Sequence, residues 1–284
     1  ASMPFYSIES DIQTTDVKGP TSILAERVPG SKKLRIYGTI ALQSAPDVEE
    51  IAIDDPAEYG AMALKEMLEA RGVVVTGKAR AEHRFWPRTS RGFLDWSNEV
   101  SSEVQRTLAA DESSGCIPEV GVGGAVQTVV LARHRSQALR DDLVVTNKVS
   151  QNLHAELFIR HLARRYTCNG FVAQGAGVVR AFLVGKVGID KDDFIFFDGS
   201  GLSGHDLVAP RATVKLLQYA TTQPWFADWK RSLPVGGEDG SLTERFAEPP
   251  LAGHVFAKTG TLGEARALSG YLECASGQTV IFSI

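Results

Sequence analysis

The stretch Asn147-Lys148-Val149-Ser150-Gln151-Asn152-Leu153-His154-Ala155-Glu156 carries the chain from a polar loop into a periodic run. From Asn152 to Tyr166, residues Ala155, Phe158, Ile159, Leu162 and Tyr166 fall on one face of a helix. Ser150 and Asn152 therefore stand at a helix entrance. In extended backbone an i, i+2 pair points to the same side, which lets a hydroxyl and an amide face one cleft. The plain alternative for Ser-x-Asn is an ordinary helix N-cap.

On the C-terminal side of this stretch, helix and strand patterns alternate. Ala176 to Lys186 reads as a helix stopped near Gly188, Phe194 to Phe197 as a buried strand, and Pro210 opens a helix through Tyr219. Ala267 to Cys274 and Gln278 to Ile284 read as a hairpin around Ser276-Gly277. Just before the stretch, Ala125 to Ala132 reads as a strand.

The first third reads as strands joined by turns, with β-branched runs at Thr21 to Val28 and Leu34 to Ile40 around Pro29-Gly30. One helix interrupts it: Asp55 is an N-cap, Pro56 suits the first turn, and apolar residues recur until Gly72. Val73 to Val75 is expected to be the strand that follows. Between Gly77 and Gly124 the pattern is punctuated by glycine, proline and serine. These readings place a β-rich unit at residues 1–124 and an α+β unit at residues 125–284.

The 284 residues are 43% hydrophobic and 23% charged, enough for real cores. Thirty Lys and Arg against 34 Asp and Glu leave a net charge of -4, with no basic surplus for phosphate backbones, so nucleic acid is not an expected partner. No continuous apolar run reaches membrane-spanning length. Cys116, Cys168 and Cys274 are odd in number and widely spaced, which reads as three unpaired small hydrophobes.

Lys258-Thr259-Gly260-Thr261 lies on a strand just before the hairpin. A cation and two hydroxyls beside a glycine make a cradle for a carboxylate, because Gly260 leaves room for a substrate backbone alongside the strand. Other candidates are weaker. His205-Asp206 with Ser200 or Ser203 invites a Ser-His-Asp reading, but a triad is a matter of geometry, and a tight glycine-supported turn explains Asp198 to Ser203 better. His83, His134, His154, His161 and His254 lack metal-ligand spacing, so no metal is expected. Trp225, Phe226 and Trp229 read as core rather than a sugar platform.

The order Ser150-Gln151-Asn152, then Asp198-Gly199-Ser200-Gly201-Leu202-Ser203, then Lys258-Thr259-Gly260-Thr261 resembles the penicillin-binding D-alanyl-D-alanine carboxypeptidase and endopeptidase family of low molecular mass, class C type. Ile51 to Gly77 and Arg27 to Gly38 are similar to parts of that family's accessory domain. The resemblance implies a serine transpeptidase/β-lactamase-like domain, incomplete here, with a β-rich accessory domain. It implies an acyl-enzyme formed on peptidoglycan stem peptides, inhibition by β-lactams, no cofactor, and a place in the periplasm or on the outer wall face. By the same resemblance Ser150 relays a proton to the leaving amine, Asn152 holds the acyl-chain amide and Lys258 tunes Ser150. Thr259 binds the terminal carboxylate, and the Thr261 N–H forms half of an oxyanion hole.

One departure stands out. The family's nucleophile is the Ser of a Ser-x-x-Lys turn, yet no serine in this chain has lysine three residues later. In the family that turn precedes the accessory domain, so the expectation is a chain truncated at both ends and an inactive fragment of the enzyme. Two other readings stand beside it: a noncatalytic module that binds peptidoglycan or a partner, and a β-lactamase or esterase on the same scaffold.

Overall fold

A computed structural model describes residues 5–48, 51–83, 91–109, 132–263 and 265–284. The chain divides into two compact units, Ala1–Trp86 and Pro87–Ile284.

The first unit is a three-stranded sheet with one helix. Strands β1 (Ser7–Thr15), β2 (Ser22–Glu26) and β3 (Lys33–Ala41) lie in the order β1-β3-β2, with β1 parallel and β2 antiparallel to β3. The runs expected to be strands at Thr21 to Val28 and Leu34 to Ile40 are β2 and β3. Gly38 is required in the central strand: its φ is 124°, and an added Cβ would lie 2.1 Å from the Ser22 carbonyl oxygen. Helix α1 (Pro56–Glu69) starts as expected, with the Asp55 carboxylate accepting from Glu58 N–H at 3.0 Å and Pro56 in the first turn.

The strand expected at Val73 to Val75 is not formed. Val73 N–H donates to Leu68 O (3.1 Å) and Gly72 N–H to Glu69 O (2.9 Å), around a left-handed Gly72. This pair of hydrogen bonds closes the helix C-terminus, so the valines begin as part of a helix stop rather than of a sheet ladder.

The second unit holds α2 (Phe93–Ala109), α3 (Leu139–Lys148), α4 (Asn152–Thr167) and α5 (Val172–Phe182), which runs on as a π-helical turn, Leu183–Val187. A short ribbon of β4 (Phe194–Ile195) and β5 (Leu207–Val208) follows, then α6 (Pro210–Thr221) and α7 (Phe226–Ser232). Strands β6 (Val255–Leu262), β7 (Ala265–Glu273) and β8 (Thr279–Ser283) form an antiparallel sheet in that order, so the expected C-terminal hairpin does pair with the strand that carries Lys258.

Helix α5 is the buried axis of the helical layer, packed between α2 and α4. Its contact with α2 is close because both faces are small: Ser97 and Ser101 are buried, and a Cβ on Gly177 would lie 2.5 Å from the Ser97 carbonyl oxygen. Since α2 packs on α5, it belongs to the second unit. The boundary expected near Gly124 therefore does not coincide with the observed division, which falls at Trp86–Pro87. Gly124 itself, and all but the last residue of the strand expected at Ala125 to Ala132, lie outside the described residues.

The sheet is covered on both faces. Leu242, Val255, Ala257 and Leu268 cluster on one side. Leu217, Leu233 and Tyr271 cluster on the other, with Phe226 and Trp229 packed against them. Tyr271 is fully buried, donates to Leu217 O at 2.9 Å, and has its pKa pushed up to about 12 by burial. Phe226 and Trp229 are thus core, while Trp225 stays 45% exposed. Cys274 is a free thiol, but Cys168 is disulfide-bonded, which corrects the expectation of three unpaired cysteines: an odd total conceals a pair. Among the described residues no single helix is long and apolar enough to cross a membrane.

Candidate active site

Between the end of α3 at Lys148 and the start of α4 at Asn152, three residues join the two helices. Ser150 takes the strain of that connection. Its φ is 61°, in the left-handed region that non-glycine residues rarely enter unless their surroundings hold them there. The extended backbone expected at Ser150 is therefore corrected. The capping role also falls elsewhere, because the Gln151 side chain accepts from Leu153 N–H at 3.2 Å and leaves the Ser150 hydroxyl uncommitted to the helix. Asn152 is the first residue of α4 and is exposed.

The surroundings that hold this turn come from α7 and the loop after it. The buried Asn147 amide donates to Ser232 Oγ at 2.7 Å, and Lys148 Nζ pairs with the Asp239 carboxylate. Gly240, with φ 60°, sits so close that an added Cβ would lie 3.0 Å from the Lys148 carbonyl oxygen.

Strand β6 approaches the Ser150 turn from 108 residues away: Lys258 Nζ donates to Ser150 Oγ at 2.8 Å and to the Thr259 carbonyl oxygen at 2.7 Å. Burial lowers the Lys258 pKa, because removing water penalises the ammonium. Thr259 Oγ1 lies 2.7 Å from Ser241 Oγ.

β6 pairs with β7 on one side only. On the other side, Gly236 N–H donates to Val255 O and Ala257 N–H to Pro234 O, which shows that the odd-numbered residues turn their backbone groups away from β7. By the alternation of an antiparallel ladder, Thr259 and Thr261 also turn theirs outward. Gly260 is exposed, its φ is not positive, and among the described residues an added Cβ would meet nothing closer than Ala267 Cβ at 3.5 Å. Among those residues neither backbone conformation nor packing calls for glycine there.

The Asp198–Ser203 segment is a self-contained turn, as expected. The Asp198 carboxylate accepts from Gly201 N–H (2.7 Å), Ser203 N–H (2.8 Å) and Ser200 Oγ (3.1 Å). Gly199 N–H donates to Glu156 Oε2 at 2.8 Å, which docks the turn on α4. The Ser-His-Asp alternative is not assembled: the His205 ring lies against Phe197, and Ser203 Oγ accepts from the His205 backbone. The Asp206 carboxylate accepts from Phe197 N–H at 2.6 Å.

The structure thus brings Ser150, Lys258 and Thr259 to one corner, with Asn152 two residues beyond Ser150 and Gly260 and Thr261 continuing the strand edge. Sequence reasoning did not single out Ser241, Asp239 or Lys148. The signal for them is slight: Gly236-Gly237-Glu238-Asp239-Gly240-Ser241 reads as nothing more than a glycine-rich turn.

A helical layer against an antiparallel sheet, with a lysine on the edge strand bonded to a serine at a helix entrance, defines a serine transpeptidase-like α+β domain. The matching family model is D-Ala-D-Ala carboxypeptidase 3 (S13), over residues 95–284, and the chain belongs to that family. It is 30% identical to a D-alanyl-D-alanine carboxypeptidase of Actinomadura sp. (strain R39) over 93% of this chain and 43% of that protein. It is 34% identical to the D-alanyl-D-alanine carboxypeptidase DacB of Haemophilus influenzae over 55% of this chain and 33% of that protein. A crystal structure of penicillin binding protein 4 (dacB) from Haemophilus influenzae, complexed with a novel β-lactam, is similar with a TM-score of 0.71 and 25% identity, covering 99% of this chain and 57% of that one. The chain spans less than half the length of these two carboxypeptidase relatives.

Proposed function

We propose that this chain supplies the proton-relay and carboxylate-binding side of a serine-type D-alanyl-D-alanine carboxypeptidase or endopeptidase that cleaves peptidoglycan stem peptides through an acyl-enzyme. The observation that carries this reading is the 2.8 Å contact from Lys258 Nζ to Ser150 Oγ beside an outward-facing strand edge. A desolvated lysine gives up a proton more readily than an exposed one, so Lys258 can pass a proton to Ser150 while Ser150 passes its own to the leaving amine of D-Ala. Asn152 holds the acyl-chain amide, the Thr259 hydroxyl holds the terminal carboxylate, and the outward Thr261 N–H supplies one oxyanion donor. Gly260 leaves the edge clear for the substrate backbone.

The nucleophile in this reading is a serine of a Ser-x-x-Lys turn from outside these 284 residues, since no serine among them has lysine three residues on. Its hydroxyl gives its proton to the lysine of that turn as the oxygen adds to the carbonyl of the penultimate D-Ala, the C–N bond to the terminal D-Ala breaks with the amine taking the proton from Ser150, and water later releases the acyl group. A β-lactam is expected to acylate the same serine, in keeping with the β-lactam complex of the Haemophilus relative. The Cys168 disulfide supports an oxidising compartment, the periplasm or outer wall face.

The same lack of a Ser-x-x-Lys turn favours a second reading, a noncatalytic module that binds peptidoglycan or a partner. Intact-protein mass spectrometry after incubation with a penicillin separates the readings. The 284-residue chain is expected to gain no mass, and a protein extended to include a Ser-x-x-Lys turn is expected to gain one penicillin. An adduct on the short chain sinks the assignment of the nucleophile, no adduct on the extended protein favours the noncatalytic module, and rapid decay of the adduct favours a β-lactamase.

A further inference from the structure

The glycine-rich loop ahead of β6 contributes a residue to the site that the motifs do not contain. Its one-turn 3-10 helix, Gly240–Leu242, is tied to both halves of the corner. On the Ser150 side, Asp239 pairs with Lys148, and Gly240 presses on the Lys148 carbonyl. On the β6 side, Val235 bridges Phe256, and Leu242 is fully buried against Val255 and Ala257. Asp239 Oδ1 also accepts from Val235 N–H at 3.0 Å, which joins the two ties. Between them Ser241 is exposed to solvent, with its hydroxyl oxygen 2.7 Å from that of Thr259.

A pair of hydroxyls can share one hydrogen bond in two directions. If Thr259 donates to Ser241, the Thr259 oxygen offers only lone pairs outward and repels an anion. If Ser241 donates to Thr259, the Thr259 proton is left free to point at an acceptor on the open side of the strand. A carboxylate beside Thr259 selects the second arrangement, and each bond in the resulting chain polarises the next. The anchoring of Ser241 at both ends fixes the oxygen positions that this relay needs, so little ordering is left to do when the anion arrives.

We infer that Ser241 is a positioning residue for carboxylate recognition: it donates to Thr259 and thereby aims the Thr259 hydroxyl at the terminal carboxylate of the substrate. This rests on the reading of Thr259 as a carboxylate-binding residue. A surface Ser–Thr hydrogen bond with no such role would change folding slightly when removed and would not discriminate between ligands by charge.

The experiment uses the protein extended to include a Ser-x-x-Lys turn, as parent, Ser241→Ala and Ser241→Thr, and compares acylation by a penicillin with acylation by the methyl ester of the same penicillin. For the free carboxylate, Ser241→Ala is expected to lower the second-order acylation constant roughly tenfold, through weaker binding rather than a slower chemical step. For the ester, parent and Ser241→Ala are expected to agree within about twofold, and Ser241→Thr, which keeps the hydroxyl, is expected to recover most of the loss. Equal losses on acid and ester, or no loss on either, in a parent that is acylated would overturn the role of Ser241 alone. A parent that neither penicillin acylates overturns the functional reading and this inference together.

Discussion

Two serine-bearing segments meet helix α4, one just ahead of its first residue and one docked on its side, and they use their polar groups in opposite ways. In the Asp198–Ser203 turn, one carboxylate collects three donors from within six residues, and a glycine N–H closes the contact to Glu156. At the Ser150 corner, a donor to the hydroxyl arrives from 108 residues away, and among the described residues no acceptor takes the serine's own proton. Backbone groups of Thr259 and Thr261 face outward beside it. A segment whose polar groups satisfy each other serves the fold, whereas one held in strained backbone with donors to spare is available for chemistry.

The largest effect is expected at the corner. In the protein extended to include a Ser-x-x-Lys turn, Lys258→Ala should slow acylation by penicillin by about a thousandfold, about 4 kcal/mol of barrier. Its stability to denaturant should change by no more than about 1 kcal/mol, because the ammonium is only partly buried. A loss of activity below about tenfold in a folded variant would place Lys258 outside the proton path.

The turn should show the reverse pattern, stability without direct effect on chemistry. Asp198→Ala strips the acceptor from Gly201 N–H and Ser203 N–H at once, and about 3 kcal/mol of unfolding free energy should go with it. Gly199→Ala meets Ala155 O and Ile159 Cγ2, each at 2.7 Å from the new Cβ, and should cost about 2 kcal/mol as the turn is pushed off α4. Denaturant titration of the 284-residue chain measures both. Midpoints unchanged from the parent would mean that the turn does not dock on α4.

The contrast between these segments also marks what the sequence discloses. The turn was legible because its partners are local: Asp, Ser and Gly within six residues specify their own hydrogen bonds. Helices α4 and α6, the start of α1 and the β7–β8 hairpin were legible for a similar reason, since apolar period and punctuation are local. The meeting of Ser150 with Lys258 was anticipated only through family resemblance, for nothing near either residue encodes a contact 108 residues away. The left-handed conformation of Ser150 had no local sign at all.

Helix α2 escaped because its packed face mixes Ser97 and Ser101 with Val100 and Val104, which dilutes the apolar rhythm where α5 demands small residues. That same omission put the expected boundary on the far side of α2 from the observed division. Strand β1 escaped because it is polar and exposed on both faces, with Ile8 63% exposed, and is held by its backbone ladder to β3.

The smallest effect should appear just beyond the turn, at Asp206, as a dependence on pH. Asp206 has its pKa raised above the ordinary 3.8, chiefly by burial, with the Phe197 N–H opposing and the neighbouring Asp198 carboxylate reinforcing the rise. Between 3.8 and that raised value the folded chain keeps a proton that the unfolded chain has released. Stability from this group therefore falls as pH rises through the interval, and the penalty is complete above it. Asparagine keeps an oxygen for Phe197 N–H and cannot ionise, so Asp206→Asn should remove this slope. The variant should be slightly more stable than the parent at neutral pH and should converge with it below 3.8, where both side chains are neutral. Urea midpoints across the interval read the difference directly. If the parent instead gains on the variant as pH rises, the Phe197 N–H outweighs burial and the carboxylate serves the turn in its charged form.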